Sequence, residues 1–354
     1  MNQEILKEIF LMVATTFLFV AIITPFIKNT AIHIGAVDIP NERKVHKKAM
    51  PRLGGLGIFL GFLLGYMLFG TPSAIMNSIL IGSFIIVLIG VIDDIKPLKA
   101  STKFLGQLAA ACIVVFYGNI LLQDISAFGI YIDFHIFAYP LTIFFILGCI
   151  NCLNLIDGLD GLAAGISSIY FLTIGIIATI QGTFGLDFII TFILLGSTLG
   201  FLVHNFNPAK IFMGDSGSLF LGFIIAVIAL LGFKNVTMTS LIIPLLILAI
   251  PILDTLFAIV RRLLKGEKIS TPDKCHIHHQ LLNKRFSHRA TVLIIYGINL
   301  LFASASIVYV LKDQLLGYII YGILLIIVLI FIFKTNIIVD KETIKQKTKK
   351  LEKS

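Results

Sequence analysis

Charge is scarce in this chain. Only 13% of its 354 residues are Asp, Glu, Lys or Arg, while 58% are hydrophobic and the mean hydropathy is +1.00. A soluble domain has nowhere to put that much apolar surface, and apolar runs of about 18 or more residues recur along the whole length. The alternation of a β-barrel is missing as well. Backbone groups in lipid must then be satisfied within each segment, so the runs are read as helices. The first run, Ile9 to Ile27, lacks the basic n-region and small-residue cleavage site of a signal peptide and is too long for one, so it counts as a spanning helix. The four cysteines (Cys112, Cys149, Cys152 and Cys275) imply no disulfide framework. Cys149-x-x-Cys152 lies inside an apolar run and reads as packing rather than as a redox pair. Internal repeats and a soluble domain are also lacking.

What is present is an all-α, polytopic pattern of about 11 spans: roughly 9–27, 54–70, 75–92, 104–122, 136–154, 161–180, 187–205, 216–233, 240–263, 291–311 and 314–333. If loops alternate between two sides, 25 of the 28 Lys and Arg fall on one side, and only Lys7, Lys234 and Lys312 on the other. The positive-inside rule makes the crowded side cytoplasmic, with the N-terminus outside and the C-terminus inside. Residues 1–333 read as a single transmembrane domain and 334–354 as a lysine-rich cytoplasmic tail suited to anionic headgroups. The net charge of +9 is mostly orientation signal and implies no nucleic acid.

Polar groups gather in a few stretches, all at cytoplasmic span ends or in cytoplasmic loops. In "NCLNLIDGLDGLAAG", Asn151, Asn154, Asp157 and Asp160 recur every third residue. A straight helix would turn the first and last to opposite sides, but Gly158 and Gly161 allow a break at which all four converge. A cap for the next helix could explain one aspartate, not two asparagines before the turn. Asp93 and Asp94 end a span at the helix pole that disfavours anions, with Lys96, Lys99 and Lys103 close behind, as a cation or phosphate site requires. In "NFNPAKIFMGDSGSLFLGF", Asp215 opens a span and reads either as its N-cap or as a metal ligand, and Phe212 reads as packing or as a platform for a planar base. The largest loop carries His276, His278 and His279 behind Arg261, Arg262, Lys265, Lys268 and Lys274. Zinc would need a fourth ligand, and only Asp273 and Cys275 are near, so phosphate contacts are the better reading. "DIPNERKVHKKAMPRLGG" adds cations that fit orientation or anion binding and is weak alone. A carboxylate-rich cation site beside basic groups at one membrane face fits metal-assisted chemistry on phosphates.

Taken together these motifs resemble the polyprenyl-phosphate N-acetylhexosamine-1-phosphate transferases. Asp93-Asp94 with Lys96 is similar to the family's acidic pair, Asn151 through Leu162 to its N-x-x-N-x-x-D-G-x-D-G-L pattern, and Phe212 through Ser218 to F-M-G-D-x-G-S. The H-I-H-H motif and "PNERKVHKKAMPRLGG" resemble the TagO/WecA branch, most of all the Gram-positive TagO type, and depart from the three consecutive histidines of the MraY branch. The resemblance implies transfer of a sugar-1-phosphate from a UDP-N-acetylhexosamine, UDP-GlcNAc first, to undecaprenyl phosphate with release of UMP, the opening membrane step of a teichoic acid or other surface glycan. It implies Mg²⁺ or Mn²⁺, a multi-pass protein of the bacterial plasma membrane, and leaves a homodimer open. By resemblance, Asp93, Asp94, Asp157, His276, His278 and His279 serve catalysis. Lys96, Lys103, Asn151, Asn154, Asp160 and Phe212 serve substrate, with Phe212 against uracil. Asp215 and Asn154 serve the metal. An MraY-type muropeptide transferase is the nearer rival. A secondary transporter is disfavoured because the span interiors show no charged relay.

Overall fold

The computed structural model describes residues 3–40, 49–127, 130–235, 247–266, 276–311 and 314–334. Helix α1 (Gln3–His33) leads into a small antiparallel pair, β1 (Val37–Asp38) and β2 (Met50–Pro51). Then come α2 (Gly54–Phe69), α3 (Ala74–Ile95) and α4 (Ala100–Cys112), the last continuing into a π-turn over Ile113–Tyr117. A second hairpin, β3 (Asp124–Ala127) with β4 (Ile130–Asp133), precedes α5 (Ala138–Ile156). Helices α6 (Leu162–Gln181), α7 (Leu186–Asn205) and α8 (Asp215–Asn235) follow, then α9 (Ala249–Lys265), the short α10 (Ile277–Asn283), α11 (His288–Leu311) and α12 (Gln314–Lys334).

Eight of these helices are long and apolar enough to cross a membrane, as expected of a polytopic membrane protein. The all-α expectation needs one correction, the two hairpins. The expected span 104–122 ends early because the chain leaves the π-turn at Gly118 and turns into β3.

The core is built around α8. Within its spanning window 89% of residues are buried, against 22% for α1, so α8 stands inside the bundle and α1 at its lipid-facing edge. Helix α8 packs chiefly on α3 and α5, with α2 also against it, while α1 and α6 flank α7. The close approach of α2 to α8 rests on glycine: a Cβ on Gly55 would lie 2.0 Å from the Gly217 nitrogen. Helix α9 is amphipathic in an inverted sense. It exposes Leu256, Val260, Leu263 and Leu264 and buries Asp254, Arg261 and Arg262. The apolar span expected over 240–263 therefore carries charge inward, and the view that span interiors lack charge is corrected by Asp254. Residues 41–48, Asp273, Cys275, Lys268, Lys274 and the tail beyond 334 lie outside the described residues.

Candidate active site

The polar segments meet at one end of the bundle, around the start of α8. Gly214 has φ +74°, a left-handed conformation that favours glycine, and a Cβ there would come within 2.4 Å of Asp94 Oδ2. Asp94, at the end of α3, is the acceptor for the α8 N-terminus. Its Oδ1 accepts from the Asp215 backbone N–H (2.9 Å), and its Oδ2 accepts from the N–H and the hydroxyl of Ser216 (3.1 and 2.7 Å). The carboxylate that seemed misplaced at the C-terminal pole of α3 is thus held at the N-terminal pole of α8, where an anion is favoured. This also corrects the reading of Asp215 as a cap: Asp94 fills that role from another helix, and the Asp215 carboxylate is directed elsewhere.

Asp215 Oδ2 accepts from Lys103 Nζ at 2.8 Å, and Lys103 Nζ also lies 3.4 Å from Asp93 Oδ2. Arg52 stands among four carboxylates. Its Nη2 is 3.0 Å from Asp94 Oδ1, 3.7 Å from Asp93 Oδ2 and 3.8 Å from Asp215 Oδ1, and its Nη1 is 3.5 Å from Asp38 Oδ1. Burial works against the guanidinium's charge, but Asp94, Asp215 and Asp38 outweigh it and hold its pKa above the ordinary value. The backbone puts Arg52 there. Phe212 N–H donates to Pro51 O (2.8 Å), Gly54 N–H to Phe212 O (2.9 Å) and Gly55 N–H to Met213 O (2.8 Å), lacing the segment before α2 to the segment before α8.

The turn between α5 and α6 supplies the opposite wall. Asn154 Nδ2 donates to Ser218 Oγ (2.8 Å), and the residue lines the site cavity. Asp157 follows α5 directly, and its carboxylate accepts no hydrogen bond from a described residue. Burial, then the charges of Asp215 and Asp94, push its pKa up to about 8. Asp160 is a tie: its Oδ2 accepts from Asn207 Nδ2 (2.8 Å) and the Ala209 N–H (3.1 Å), and its own N–H donates to His288 Nε2 (2.9 Å). Asn205 accepts from Gly161 N–H (3.0 Å) and donates to Ile211 O (2.9 Å). Asn151 does not join. It is exposed and donates to Gln107 Oε1 on α4 and to Leu147 O, so three of the four polar groups converge, not four.

A cavity of about 520 Å³ is lined by Asp38, Arg52, Asn154, Asp157, Asp160 and Asp215, together with Phe212, Asn205, Asn207, His279 and His288. His276 and His278 are buried behind His279. The His276 ring pairs with Asp254, and burial together with His279, His276 and His288 holds the His278 pKa well below the usual histidine value. Lys96 caps the C-terminus of α3, is exposed, and stays out of the cavity. Among the described residues no three His, Cys, Asp or Glu side chains are gathered as a metal cage.

Arg52, Asp38, Asp254, Asn205, Asn207 and His288 were not singled out in the sequence. Arg52 was hidden among other cations, although its place between Pro51 and the Gly54-Gly55 pair marks it. Asp254 was signalled only by being a lone carboxylate in an apolar run.

Residues 76–233 match the family described as glycosyl transferase family 4. Over 346 residues the chain is 45% identical to a probable undecaprenyl-phosphate N-acetylglucosaminyl 1-phosphate transferase of Bacillus subtilis, covering 96% of each chain. It is 34% identical to a decaprenyl-phosphate N-acetylglucosaminephosphotransferase of Mycolicibacterium smegmatis, covering 86% of this chain and 83% of that one. It is 30% identical to an undecaprenyl-phosphate alpha-N-acetylglucosaminyl 1-phosphate transferase of Escherichia coli K12, covering 82% and 81%. The acidic pair on α3, the N-x-x-N-x-x-D-G turn and the F-M-G-D segment thus stand at one cavity in a chain that belongs to glycosyl transferase family 4, the polyprenyl-phosphate N-acetylhexosamine-1-phosphate transferases.

Proposed function

We propose that the chain transfers GlcNAc-1-phosphate from UDP-GlcNAc to undecaprenyl phosphate, releasing UMP and opening the synthesis of a teichoic acid or another surface glycan. In this reaction an oxygen of the lipid phosphate attacks the phosphorus that carries the sugar, and the bond to the UMP phosphate breaks. The observation that carries the reading is the cavity itself. It sits at one end of an apolar bundle and is lined by Arg52, Asp157 and Asp215, with Lys103 bonded to Asp215 and 3.4 Å from Asp93. A lipid-borne phosphate can reach such a place while its chain stays among the helices.

The donor set fits Mg²⁺ (or Mn²⁺). Asp38, Asp93, Asp94 and Asp215 pair with just two described cations, Arg52 and Lys103, and Asp157, which accepts no hydrogen bond from a described residue, adds a further carboxyl. Mg²⁺ takes one or two carboxylates and fills the rest with water and substrate oxygens. Asp215 and Asp157 would hold it, with the Asn154 carbonyl oxygen at hand, whereas Asp94 has both oxygens committed to α8 and Arg52. A bound divalent ion supplies charge screening between the two phosphates. Lys103 and Arg52 hold the acceptor phosphate, Asp93 orients Lys103, and Phe212 packs against the uracil. A general base is not required, since a phosphate monoester is largely ionised near pH 7.

In this reading residues 1–333 form a single eleven-span domain in the bacterial plasma membrane. The N-terminus is outside, and the cavity and the tail 334–354 are cytoplasmic. The charge segregation of 25 to 3 supports that orientation. The test is direct. Purified protein is incubated with undecaprenyl phosphate, Mg²⁺ and a panel of UDP-sugars, and the lipid product is identified by mass. UDP-GlcNAc is expected to support UMP release and UDP-MurNAc-pentapeptide is not. Turnover of the muropeptide nucleotide alone would move the chain to the MraY-type activity.

A further inference from the structure

Asp254 takes no part in the cavity, yet it is one of the most deeply buried carboxylates of the chain, with 2% exposure. Both its oxygens are used. Oδ2 is 2.8 Å from His276 Nδ1, and Oδ1 accepts the Ile277 backbone N–H at 2.8 Å. A carboxylate can only accept, so Nδ1 of His276 carries the hydrogen and Nε2 is left to face away. The second bond caps the first turn of α10. That helix has seven residues, too few to persist without tertiary support.

From Asp254 the contacts run toward the cavity without a gap. The rings of His276 and His278 are parallel, 4° apart with centroids at 5.8 Å, and those of His278 and His279 are 4.3 Å apart. His278 abuts the α5–α6 turn at Gly158, where a Cβ would lie 2.6 Å from its Nε2, so the turn must carry glycine for the ring to fit. His279 then lines the cavity beside Asp157 and Asp215. One histidine of the three reaches the cavity, the second is wedged against the turn, and the first is fixed to α9.

We propose that Asp254 is a positioning residue for the transfer reaction. It fastens α10 to α9 by holding the His276 ring and the Ile277 amide together, and so sets where His279 meets the phosphates of the donor nucleotide. His276 is then an anchor rather than a substrate ligand. The kinetic part of this inference rests on the proposed function; the anchoring part does not.

The test uses Asp254→Asn, His276→Asn and the double variant in the full-length detergent-purified protein, checked for a single size-exclusion peak. Because an isosteric amide removes the charge and one acceptor, Asp254→Asn is expected to raise the KM for UDP-GlcNAc about 10- to 100-fold, the cost of losing a hydrogen bond to a charged group. The kcat should stay within about threefold, since the lost contact acts on binding. The double variant should be no worse than either single one, because both remove the same tie. Asp254→Glu keeps the charge and is expected to recover part of the lost affinity, and it serves as the readout should the Asn variant not fold. A ring-¹⁵N spectrum of histidine-labelled protein needs no turnover. It should show the His276 Nδ1 protonated in the wild type and that signal changed in Asp254→Asn. A wild-type KM in a folded Asp254→Asn variant, multiplicative losses in the double variant, or an unprotonated Nδ1 would overturn the proposal. A wild type with the expected ring signal but no UMP release and no thermal stabilisation by UDP-GlcNAc would instead overturn the transferase reading and leave the anchor standing.

Discussion

Two neighbouring aspartates at the start of α8 have opposite duties, and the same small substitution separates them. Asp215→Asn leaves the helix cap untouched, because Asp94 provides it, and keeps an oxygen for Lys103. It removes the charge that would hold the divalent ion in the proposed reaction. Transfer should fall about 10²-fold or more, with little change in the thermal midpoint. UMP release is measured across Mg²⁺ concentrations, and more than about a third of wild-type turnover at limiting Mg²⁺ would take the metal away from Asp215. Asp94→Asn should do the reverse in kind. It directs an amide NH₂ at N–H donors and leaves Arg52 without its closest carboxylate, a loss of about 3–5 kcal/mol for breaking a buried ion pair. The thermal midpoint should drop sharply, and inactivity should follow from unfolding rather than precede it.

At the scale of helices, the site depends on how closely α2 approaches α8. A methyl on Gly55 would run into backbone rather than into a flexible side chain, so the two helices must separate. Gly55→Ala is expected to broaden or abolish the monodisperse size-exclusion peak. Gly148→Ala, with nothing within 4 Å of the added carbon, should elute and melt as wild type. Equal behaviour of the two would mean that α2 is free to shift. The helices themselves were legible in the sequence, since a run apolar enough for lipid needs no partner to declare itself. The π-turn and hairpin after α4 were not, because four-residue strands carry too short an alternation to register. Asn154, Asp157, Asp160, Asp215 and His279 could be read from their clustering, whereas Asp38, Asn205, Asn207 and His288, which also line the cavity, could not. Arg52 with Asp94, or His276 with Asp254, could not: these pairs close over 42 and 22 residues, and local periodicity says nothing about which distant groups meet.

For the molecule as a whole, every residue lining the cavity belongs to the end of the bundle assigned to the cytoplasm, so orientation and catalysis stand together. In a background without the four native cysteines, Thr71→Cys should react with an impermeant thiol reagent in intact cells, and Asn283→Cys should not. Both positions are exposed at opposite ends of the bundle. Labelling at 283 would remove the cavity from the side where UDP-sugars are found. The cap on α8 has a further bearing on how such a chain is made. The acceptor for the Asp215 and Ser216 amides is encoded 121 and 122 residues upstream, so α3 has left the ribosome well before the helix that needs it. Vectorial synthesis therefore delivers the dock before the part that docks. A reactive cysteine at Ser218 should become shielded in arrested nascent chains as soon as α8 has emerged, and should stay reactive when those chains carry Asp94→Ala.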